Sequence, residues 1–488
     1  MKFLKLLLLL LLPATVLPQS KPIVEDKGNF GLHVTNDSII LHQYLERENQ
    51  LLLIGYKSLQ LLDLTNFKVL ETRPIDLPTA NIRHDYELSS WVISPDGRRM
   101  LVLGLKDART KTTTESKQAA WVWDLQTGKR IAVLDRPDKI ENGWWSDNGR
   151  TLITMDVPFI DPLIRKVNIS FWDGETLGYQ GSVFINNITW MYLSKDGQRF
   201  FAASGQRGNL FGIKYVSDKA GVINVWRTKT GELEKTISVG NDNFSPKTRE
   251  IEISPDEKFL VFVNKHKSSP AQHRLLAWEI NESVRPKYEL QPRPKIDDSR
   301  IVFSPDGKYF ALDVGRNLQI YETETGKLKV ELQNVELPSY GWLDNEIIAS
   351  VDYKSKNFFE MGKKLKAFDA MNGQMLYNHR LAYREVEIMD PNSEFGGSEV
   401  VDDTILRPHP TKKIFMTSSD QFVKIFDSRT GDLLQTVVHP LIVIGKNGKP
   451  KLAHGNTVLS AAWSKDGKAL YVFSANHQSV SLWKLIDD

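Results

Sequence analysis

One sequence element recurs along the chain and constrains its fold more than any other feature. It consists of an apolar run, a turn of the form Ser-x-Asp-Gly or a close relative, and a second apolar run. Its copies occupy Trp91–Gly104, Trp144–Met155, Met191–Ser204, Ile251–Val263, Ile301–Val314 and Ala461–Ser474. Because Pro, Asp and Gly favour tight reversals of the backbone, each copy predicts two short antiparallel strands joined by a turn.

A third apolar run lies downstream of these pairs and ends in an aromatic residue next to a polar one. The aromatic residues of this run are Trp123, Trp172, Trp226, Trp278, Tyr321, Phe368, Phe426 and Trp483. Their separations run from 43 to 58 residues, and a Thr-Gly or Asn-Gly pair after several of them predicts a turn into a fourth strand. Four short strands repeated at this period are typical of a β-propeller blade, with the aromatic residues packed between blades.

The repeat resembles the WD40 family. The resemblance depends on Val-Trp-Asp at 122–124, Phe-Trp-Asp at 171–173 and the Ser-x-Asp-Gly turns, and it covers roughly residues 30 to 488. No Gly-His pair precedes the first strand of a unit, and only two units keep Trp-Asp. The chain is therefore most similar to the divergent WD40-like propellers of exported bacterial proteins, and the resemblance implies an all-β fold used for binding.

The number of blades follows from counting units. Eight units carry the aromatic signature, and Ser38–Arg73 has the pattern of one more. The last unit stops after its third strand, and Phe30–Thr35 is the segment predicted to supply the fourth strand and close the ring. We therefore predict one domain, residues 30–488, that forms a single large propeller of eight or nine four-stranded blades.

The N-terminus predicts export from the cytoplasm. Lys2 and Lys5 precede the apolar run Leu6–Leu12, which Pro13 ends, as in a secretory signal peptide. We place the signal at residues 1–20 and the mature protein in the periplasm or outside the cell; an uncleaved N-terminal membrane anchor is the alternative. No other stretch approaches the length of a membrane span, so none is expected after signal removal. The chain has no cysteine, which excludes disulfides and thiolate zinc sites.

Extra length concentrates on one side of the predicted ring. With the strands of a blade named a to d from the axis outward, the a–b and c–d turns lie on one face, here called the plain face. The b–c and d–a connections lie on the other, here called the elaborated face. Long b–c connections are predicted at 105–119, 156–168, 205–221, 264–274 and 352–364, and long d–a connections at 383–403 and 439–456. Since binding residues concentrate on loops held by a rigid scaffold, the elaborated face is the predicted binding surface.

Basic residues gather on four of these connections. The connections 105–119, 205–221, 264–274 and 352–364 carry net charges of +2, +2, +3 and +2, against +3 for the whole chain, and 383–403 carries −6. The candidate partner-binding residues are Lys106, Arg109, Lys111, Lys117, Arg207, Lys214, Lys265, Lys267, Arg274, Lys354 and Lys356. They predict a protein or anionic polymer as partner, while the small total charge argues against nucleic acid. Ordinary solvated loop charges are the alternative interpretation.

Motifs that carry chemistry are absent from the sequence. It contains no nucleophile elbow, no His-Glu-x-x-His and no phosphate-binding loop, so no catalytic residue, metal ligand or cofactor is predicted. His266 and His273 lie seven residues apart in a loop, which is not a ligand spacing. His409, between two prolines in an a–b turn, is expected on the plain face without a catalytic role.

Three functional hypotheses follow. The first is a binding or scaffold platform that uses the elaborated face. The second is an enzyme, a hydrolase or cofactor-dependent dehydrogenase, with its site at the central channel; it depends only on the versatility of the fold. The third is a scaffold that uses the plain face, whose uniform turns offer little chemical variety.

Overall fold

The structure is a computed structural model of the 488-residue chain. It describes residues 22–30, 39–45, 48–55, 57–75, 77, 90–105, 118–134, 139–157, 166–186, 188–204, 222–238, 251–264, 274–281, 285–291, 300–315, 317–333, 335, 339–352, 364–380, 405–418, 422–438, 442–444, 450–452, 458–474 and 480–486. Within these ranges, nine four-stranded antiparallel sheets form the blades of a β-propeller, and one further sheet has two strands. The larger of the two predicted blade numbers is therefore confirmed.

The strands follow the chain order blade by blade. Blades 1 to 3 contain β2 (Ile39–Leu45), β3 (Gln50–Gly55), β4 (Ser58–Asp63), β5 (Lys68–Pro74), β6 (Ser90–Ile93), β7 (Arg99–Leu105), β8 (Gln118–Asp124), β9 (Lys129–Leu134), β10 (Lys139–Trp145), β11 (Thr151–Val157), β12 (Lys166–Asp173) and β13 (Tyr179–Asn186). Blades 4 to 6 contain β14 (Ile188–Leu193), β15 (Arg199–Ser204), β16 (Val222–Arg227), β17 (Leu233–Ser238), β18 (Ile251–Ile253), β19 (Phe259–Asn264), β20 (Arg274–Glu279), β21 (Tyr288–Leu290), β22 (Ile301–Phe303), β23 (Tyr309–Val314), β24 (Asn317–Glu322) and β25 (Leu328–Leu332). Blades 7 to 9 contain β26 (Ser339–Trp342), β27 (Ile347–Asp352), β28 (Lys364–Asp369), β29 (Met375–Arg380), β30 (Ile405–Pro408), β31 (Ile414–Ser418), β32 (Phe422–Asp427), β33 (Leu433–Val438), β36 (Val458–Trp463), β37 (Ala469–Ser474), β38 (Val480–Leu485) and β1 (Val24–Phe30), while β34 (Ile442–Ile444) and β35 (Pro450–Leu452) form the two-stranded sheet.

The first strand of each blade is the innermost. Strands β6 and β10, β18 and β22, and β22 and β26 are first strands of neighbouring blades, and each pair is in contact. The strands then follow one another outward in sequence order, so that the fourth strand forms the outer edge of its sheet.

The a–b turns owe their shape to their own side chains. In the turn after β6, Ser94 Oγ donates to Asp96 Oδ1 at 2.6 Å and accepts from the backbone N–H of Arg99 at 2.9 Å. Gly97 occupies the left-handed region at φ 67°, which glycine adopts without strain. The same bond from the turn serine to residue i+2 recurs at Ser146, Ser194, Ser254, Ser304 and Ser464. The Ser-x-Asp-Gly pattern and its relatives therefore encode six of the nine a–b hairpins locally.

The core lies between neighbouring blades. Phe201 and Val225 of blade 4, for example, pack in one cluster with Phe262 and Trp278 of blade 5. Seven of the eight aromatic residues at the third strands are buried, and Trp483 is half-buried. Their predicted role as packing between blades is confirmed.

The two chain ends close the ring in one sheet. Strand β1 pairs antiparallel with β38, from Val24 opposite Leu485 to Phe30 opposite Val480. The N-terminal strand thus supplies the missing fourth strand, but it runs over Val24–Phe30 rather than the predicted Phe30–Thr35. Strand β1 has charged residues at three of its seven positions, and its pairing is determined by the open edge of β38. The connection 439–456, predicted as a long d–a connection, contains the β34–β35 hairpin.

Candidate functional site

The two faces of the ring differ in the length of their connections. Every a–b turn of the nine blades spans four or five residues. The b–c connections span 2 to 17 residues, and the d–a connections from one blade to the next span 1 to 24. The asymmetry expected from the sequence is therefore present in the strand bounds. The largest variation in length is therefore on the elaborated face.

Ten of the eleven candidate partner-binding residues lie outside the described residues. They are Lys106, Arg109, Lys111, Lys117, Arg207, Lys214, Lys265, Lys267, Lys354 and Lys356. The strands that flank them place their connections, b–c of blades 2, 4, 5 and 7, on the elaborated face. His266, His273 and the acidic segment 383–403 also lie outside the described ranges. A partner-binding role for all of these residues stays a prediction.

Arg274 is the described member of the candidate set. It is the first residue of β20, and its Nε lies 2.6 Å from Oε1 of Glu289 on the neighbouring strand β21. The two side chains are 34% and 50% exposed, so solvent weakens the pair without removing it. Part of the positive charge counted for the connection 264–274 is therefore already neutralised within blade 5.

A small cleft opens on the plain face at the seam between blades 4 and 5. Its volume is about 190 Å³, and Phe201, Ile253 and Ile280 are among its lining residues. Glu257 closes it by accepting hydrogen bonds from Tyr192 Oη and from the backbone N–H of Lys195, both at 2.7 Å. These hydrogen bonds connect blade 4 to blade 5, so these polar groups of the cleft stabilise the contact between the two blades.

The basic side chain of this cleft is also committed to contacts within the protein. Arg199 donates to Asn281 Oδ1 at 2.6 Å and lies 3.0 Å from Glu234. A cleft of this size is below the range of about 300–1,000 Å³ common for small-molecule sites. The seam between blades 4 and 5 is therefore better described as a structural joint.

A second cleft, of about 330 Å³, lies at the next seam, between blades 5 and 6. It shares Asp256 with the first cleft, and its lysines pair with carboxylates of their own turns: Lys258 with Asp256 at 3.2 Å and Lys308 with Asp306 at 3.1 Å. Both pairs lie within one turn and their lysines are exposed, and pairs of this kind contribute about 0–1 kcal/mol each. The plain face of blades 4 to 6 is thus lined by charges that neutralise one another.

Charged side chains also stand on the innermost strands, where the sequence analysis did not place any. Glu252 on β18 and Arg407 on β30 are exposed at the second position before the a–b turn. The side chain of Glu252 reaches solvent, yet the atoms packed around its carboxyl raise its pKa to about 7, and the positive charge of Arg300 opposes that shift. The carboxyl of Glu252 therefore changes charge near neutral pH.

A positional comparison of the repeats could have found these two residues. At the same position blades 2, 6 and 9 carry Val92, Val302 and Ala462, all half-buried and apolar. A charge there interrupts an otherwise apolar row of the inner strands. The length and alternation of an apolar run identify a strand, but they do not reveal a charged residue at one position of it, as at Glu252 and Arg407.

His409 occupies the a–b turn of blade 8, on the plain face, as the sequence predicts. It stands where six other turns have serine, and it is 5% exposed. Among the described residues, no group of three or more His, Asp and Glu side chains is placed to hold a metal ion. Across the same ranges, no helix has the length and apolar character needed to cross a membrane.

Comparison with known proteins gives a likeness of fold. No family model and no curated protein matches the chain. A crystal structure of the eukaryotic initiation factor is 13% identical, covers 88% of this chain and 92% of that chain, and has a TM-score of 0.52. The C-terminal WD40 domain of Sif2 is 12% identical, covers 96% of this chain and 99% of that chain, and has a TM-score of 0.44.

Within the described residues, the chain folds as a nine-bladed β-propeller. Nine four-stranded blades, six of which have a serine-tied a–b turn, define that fold, and the likeness to the initiation factor structure agrees with it.

Proposed function

We propose that the protein is an exported binding platform that holds a protein or an anionic polymer on its elaborated face. The observation that carries the proposal is the difference between the faces: all a–b turns have four or five residues, whereas connections on the opposite face reach 17 and 24. Long connections on a rigid ring are where recognition residues can vary without disturbing the core. The nine-bladed ring supplies that rigidity through buried seams between blades.

Charge supports an anionic partner. Four b–c connections carry net charges of +2, +2, +3 and +2, and the remainder of the chain is correspondingly acidic, since the total is +3. These basic connections attract anions over a distance of about one Debye length, roughly 8–10 Å at physiological salt, while the acidic connection 383–403 lies elsewhere in the sequence of the same face. The Arg274–Glu289 pair lowers the contribution of one connection, so Lys265 and Lys267 are the better candidates in blade 5.

Export is supported by the N-terminal residues alone. Lys2, Lys5 and the apolar run Leu6–Leu12 have the composition of a secretory signal, and the first described strand begins only at Val24. Cleavage near Ser20 leaves β1 intact for closing the ring. Mass spectrometry of the mature protein from a periplasmic fraction tests this part of the proposal, which fails if residues 1–20 are retained on a protein found in the cytoplasm.

Charge reversal on each face tests the binding proposal. The variant Lys106→Glu, Lys111→Glu, Lys265→Glu, Lys267→Glu changes the elaborated face. The control Lys229→Glu, Lys327→Glu, Lys413→Glu, Lys468→Glu changes four exposed lysines of plain-face turns by the same total charge. Proteins recovered from envelope extract and retention on an immobilised polyanion are quantified for both.

We expect about a tenfold or greater loss of partner recovery and of polyanion retention for the first variant only, because attraction across an interface depends on local charge. Equal losses in both variants indicate a response to total charge and contradict the proposal. Unchanged recovery in the first variant contradicts it directly.

A further inference from the structure

The outer strand of blade 3 differs from the other outer strands in length. Strand β13 has eight residues, while the remaining outer strands have three to seven. It pairs with β12 on one side, and no other strand in the described part of the chain pairs with its outer edge. From Gly181 to Asn186 its pairing with β12 is regular, and the register shift is confined to the end near Tyr179. An edge of this kind presents backbone N–H and C=O groups to a further strand.

Charged side chains normally protect exposed strand edges from pairing with other strands, and β13 has no charged side chain. Its sequence, Tyr-Gln-Gly-Ser-Val-Phe-Ile-Asn, contains no charged residue. Seven of the other eight outer strands carry at least one charged residue, the exception being β33. Burying a charge beside a new strand is costly, so charged edges resist pairing and β13 does not.

Phe184 adds an apolar side chain to this edge. It is 69% exposed, the largest fraction among the large apolar side chains of the described residues. Its neighbours Val183 and Ile185 are 7% and 4% exposed because they point toward the core shared with blade 4. Phe184 therefore lies on the opposite side of the strand and gains most from a partner that covers it.

We propose that β13 pairs antiparallel with β13 of a second copy of this chain, forming a two-fold dimer through the rim of the propeller. The strand is neutral, so it offers nothing for an acidic or basic peptide to recognise, whereas an identical strand meets it without repulsion between like charges. With the two-fold axis at Phe184, each Phe184 ring lies opposite its counterpart, and the same surface serves both partners. Strand β33 is also neutral, but it has six residues and no aromatic side chain.

A rim dimer leaves both flat faces of each propeller uncovered. Because the strands run from one face to the other and the pairing is antiparallel, the elaborated faces of the two copies point to opposite sides of the dimer. The dimer therefore presents one elaborated face on each of its two sides. The dimer thus goes beyond the proposed platform function but does not depend on it.

Sedimentation velocity over a dilution series of the full chain tests the dimer. Phe184→Lys places a charge at the centre of the interface, and Leu433→Lys is the matched control on the other neutral outer strand, where Leu433 is 52% exposed. We expect a concentration-dependent dimer for the wild type and for Leu433→Lys. For Phe184→Lys we expect the dimer Kd to rise by about tenfold or more, because two lysines then face each other across the axis.

Cross-linking gives a second measurement. The chain has no cysteine, so Phe184→Cys introduces a single thiol in each copy. Directly opposed residues of antiparallel strands have Cα atoms about 4.5–5.5 Å apart, within the range that a disulfide spans. Mild oxidation is expected to give a covalent dimer with Phe184→Cys and not with Leu433→Cys. A wild type that stays monomeric throughout the series, or a dimer that Phe184→Lys leaves unchanged, overturns the proposal.

Discussion

Glu257 has a left-handed backbone conformation, and glycine occupies the equivalent position in five other a–b turns. Its φ is 57°, close to the 67–72° of Gly97, Gly149, Gly197, Gly307 and Gly467 at the same place in their a–b turns. A side chain in this region costs about 1–2 kcal/mol. The carboxylate offsets the cost by accepting two hydrogen bonds from blade 4, and a bond to a charged group contributes about 1.5–3 kcal/mol. The strained conformation of Glu257 is therefore offset by the hydrogen bonds that its carboxylate accepts from the neighbouring blade.

His409 is a second exception among the a–b turns. Its Nδ1 accepts hydrogen bonds from the backbone N–H groups of Thr411 and Lys412, at 3.1 and 2.9 Å. Its Nε2 lies 2.9 Å from the carbonyl oxygen of Gly467 in blade 9. These contacts fit the neutral ring with its proton on Nε2. Burial is the main cause that lowers the pKa of His409 from its ordinary value of 6.5.

A pH-dependent stability follows from His409. Below pH 6.5 the unfolded chain binds a proton that the folded ring resists, so His409 contributes stability above that pH and loses it as pH falls through the lowered folded pKa. We expect His409→Ser to be about 1 kcal/mol less stable than the wild type at neutral pH, because a bond to blade 9 is lost. The difference should shrink toward acid pH in urea unfolding experiments. A difference that is constant with pH contradicts the neutral-ring assignment.

At the scale of elements, one side chain clamps the closing strand. Gln435 on β33 accepts hydrogen bonds at Oε1 from the backbone N–H groups of Ile23 and Val24, at 2.7 and 2.8 Å, and its Nε2 donates to the carbonyl oxygen of Val24 at 3.0 Å. One side chain thus satisfies three backbone groups at the start of β1. The bonds connect blade 8 to the strand that completes blade 9.

Replacement of Gln435 tests this clamp. We expect Gln435→Ala to lower the free energy of unfolding by about 1–3 kcal/mol, because half-buried backbone groups lose their partners. Thr436→Ala, at the neighbouring and exposed position of β33, is the control and should change stability by less than about 0.5 kcal/mol. The urea midpoints of the two variants measure this difference in stability. Equal midpoints show that the clamp contributes nothing to closure.

The elements that could be predicted from sequence are those encoded by short-range interactions. The turn at Ser94–Gly97 is stabilised by hydrogen bonds among its own residues, and the apolar runs on either side of it identify both strands. Strand β1, with sequence Val-Glu-Asp-Lys-Gly-Asn-Phe, shows no such alternation, and its pairing depends on β38 at the other end of the chain. Glu252 differs from β1, because a position-by-position comparison of the repeats shows it as a charge in an apolar row, and only its place near the axis depends on the closed ring.

At the scale of the whole molecule, closure gives every blade two neighbours. Hydrophobic clusters fill the seams, including those between blades 8 and 9 and between blades 9 and 1. In an open array of repeats each terminal unit has one neighbour, and stability is a sum of unit and interface contributions that can be lost from the ends. A closed ring has no such ends. It is therefore expected to unfold in one transition, with coincident curves from different probes.

Removal of β1 should convert the ring into an open array. A chain lacking residues 1–30 has lost β1, while a chain lacking residues 1–21 keeps it and serves as the control. In the first chain β38 has an open edge and blade 9 is incomplete, so blade 9 and its neighbours can unfold before the rest. We expect a lower apparent m value and separate fluorescence and circular dichroism transitions for that chain, and one coincident transition for the control. A single transition of unchanged m value in both chains means that the cooperativity of the fold resides within the blades and not in the closed ring.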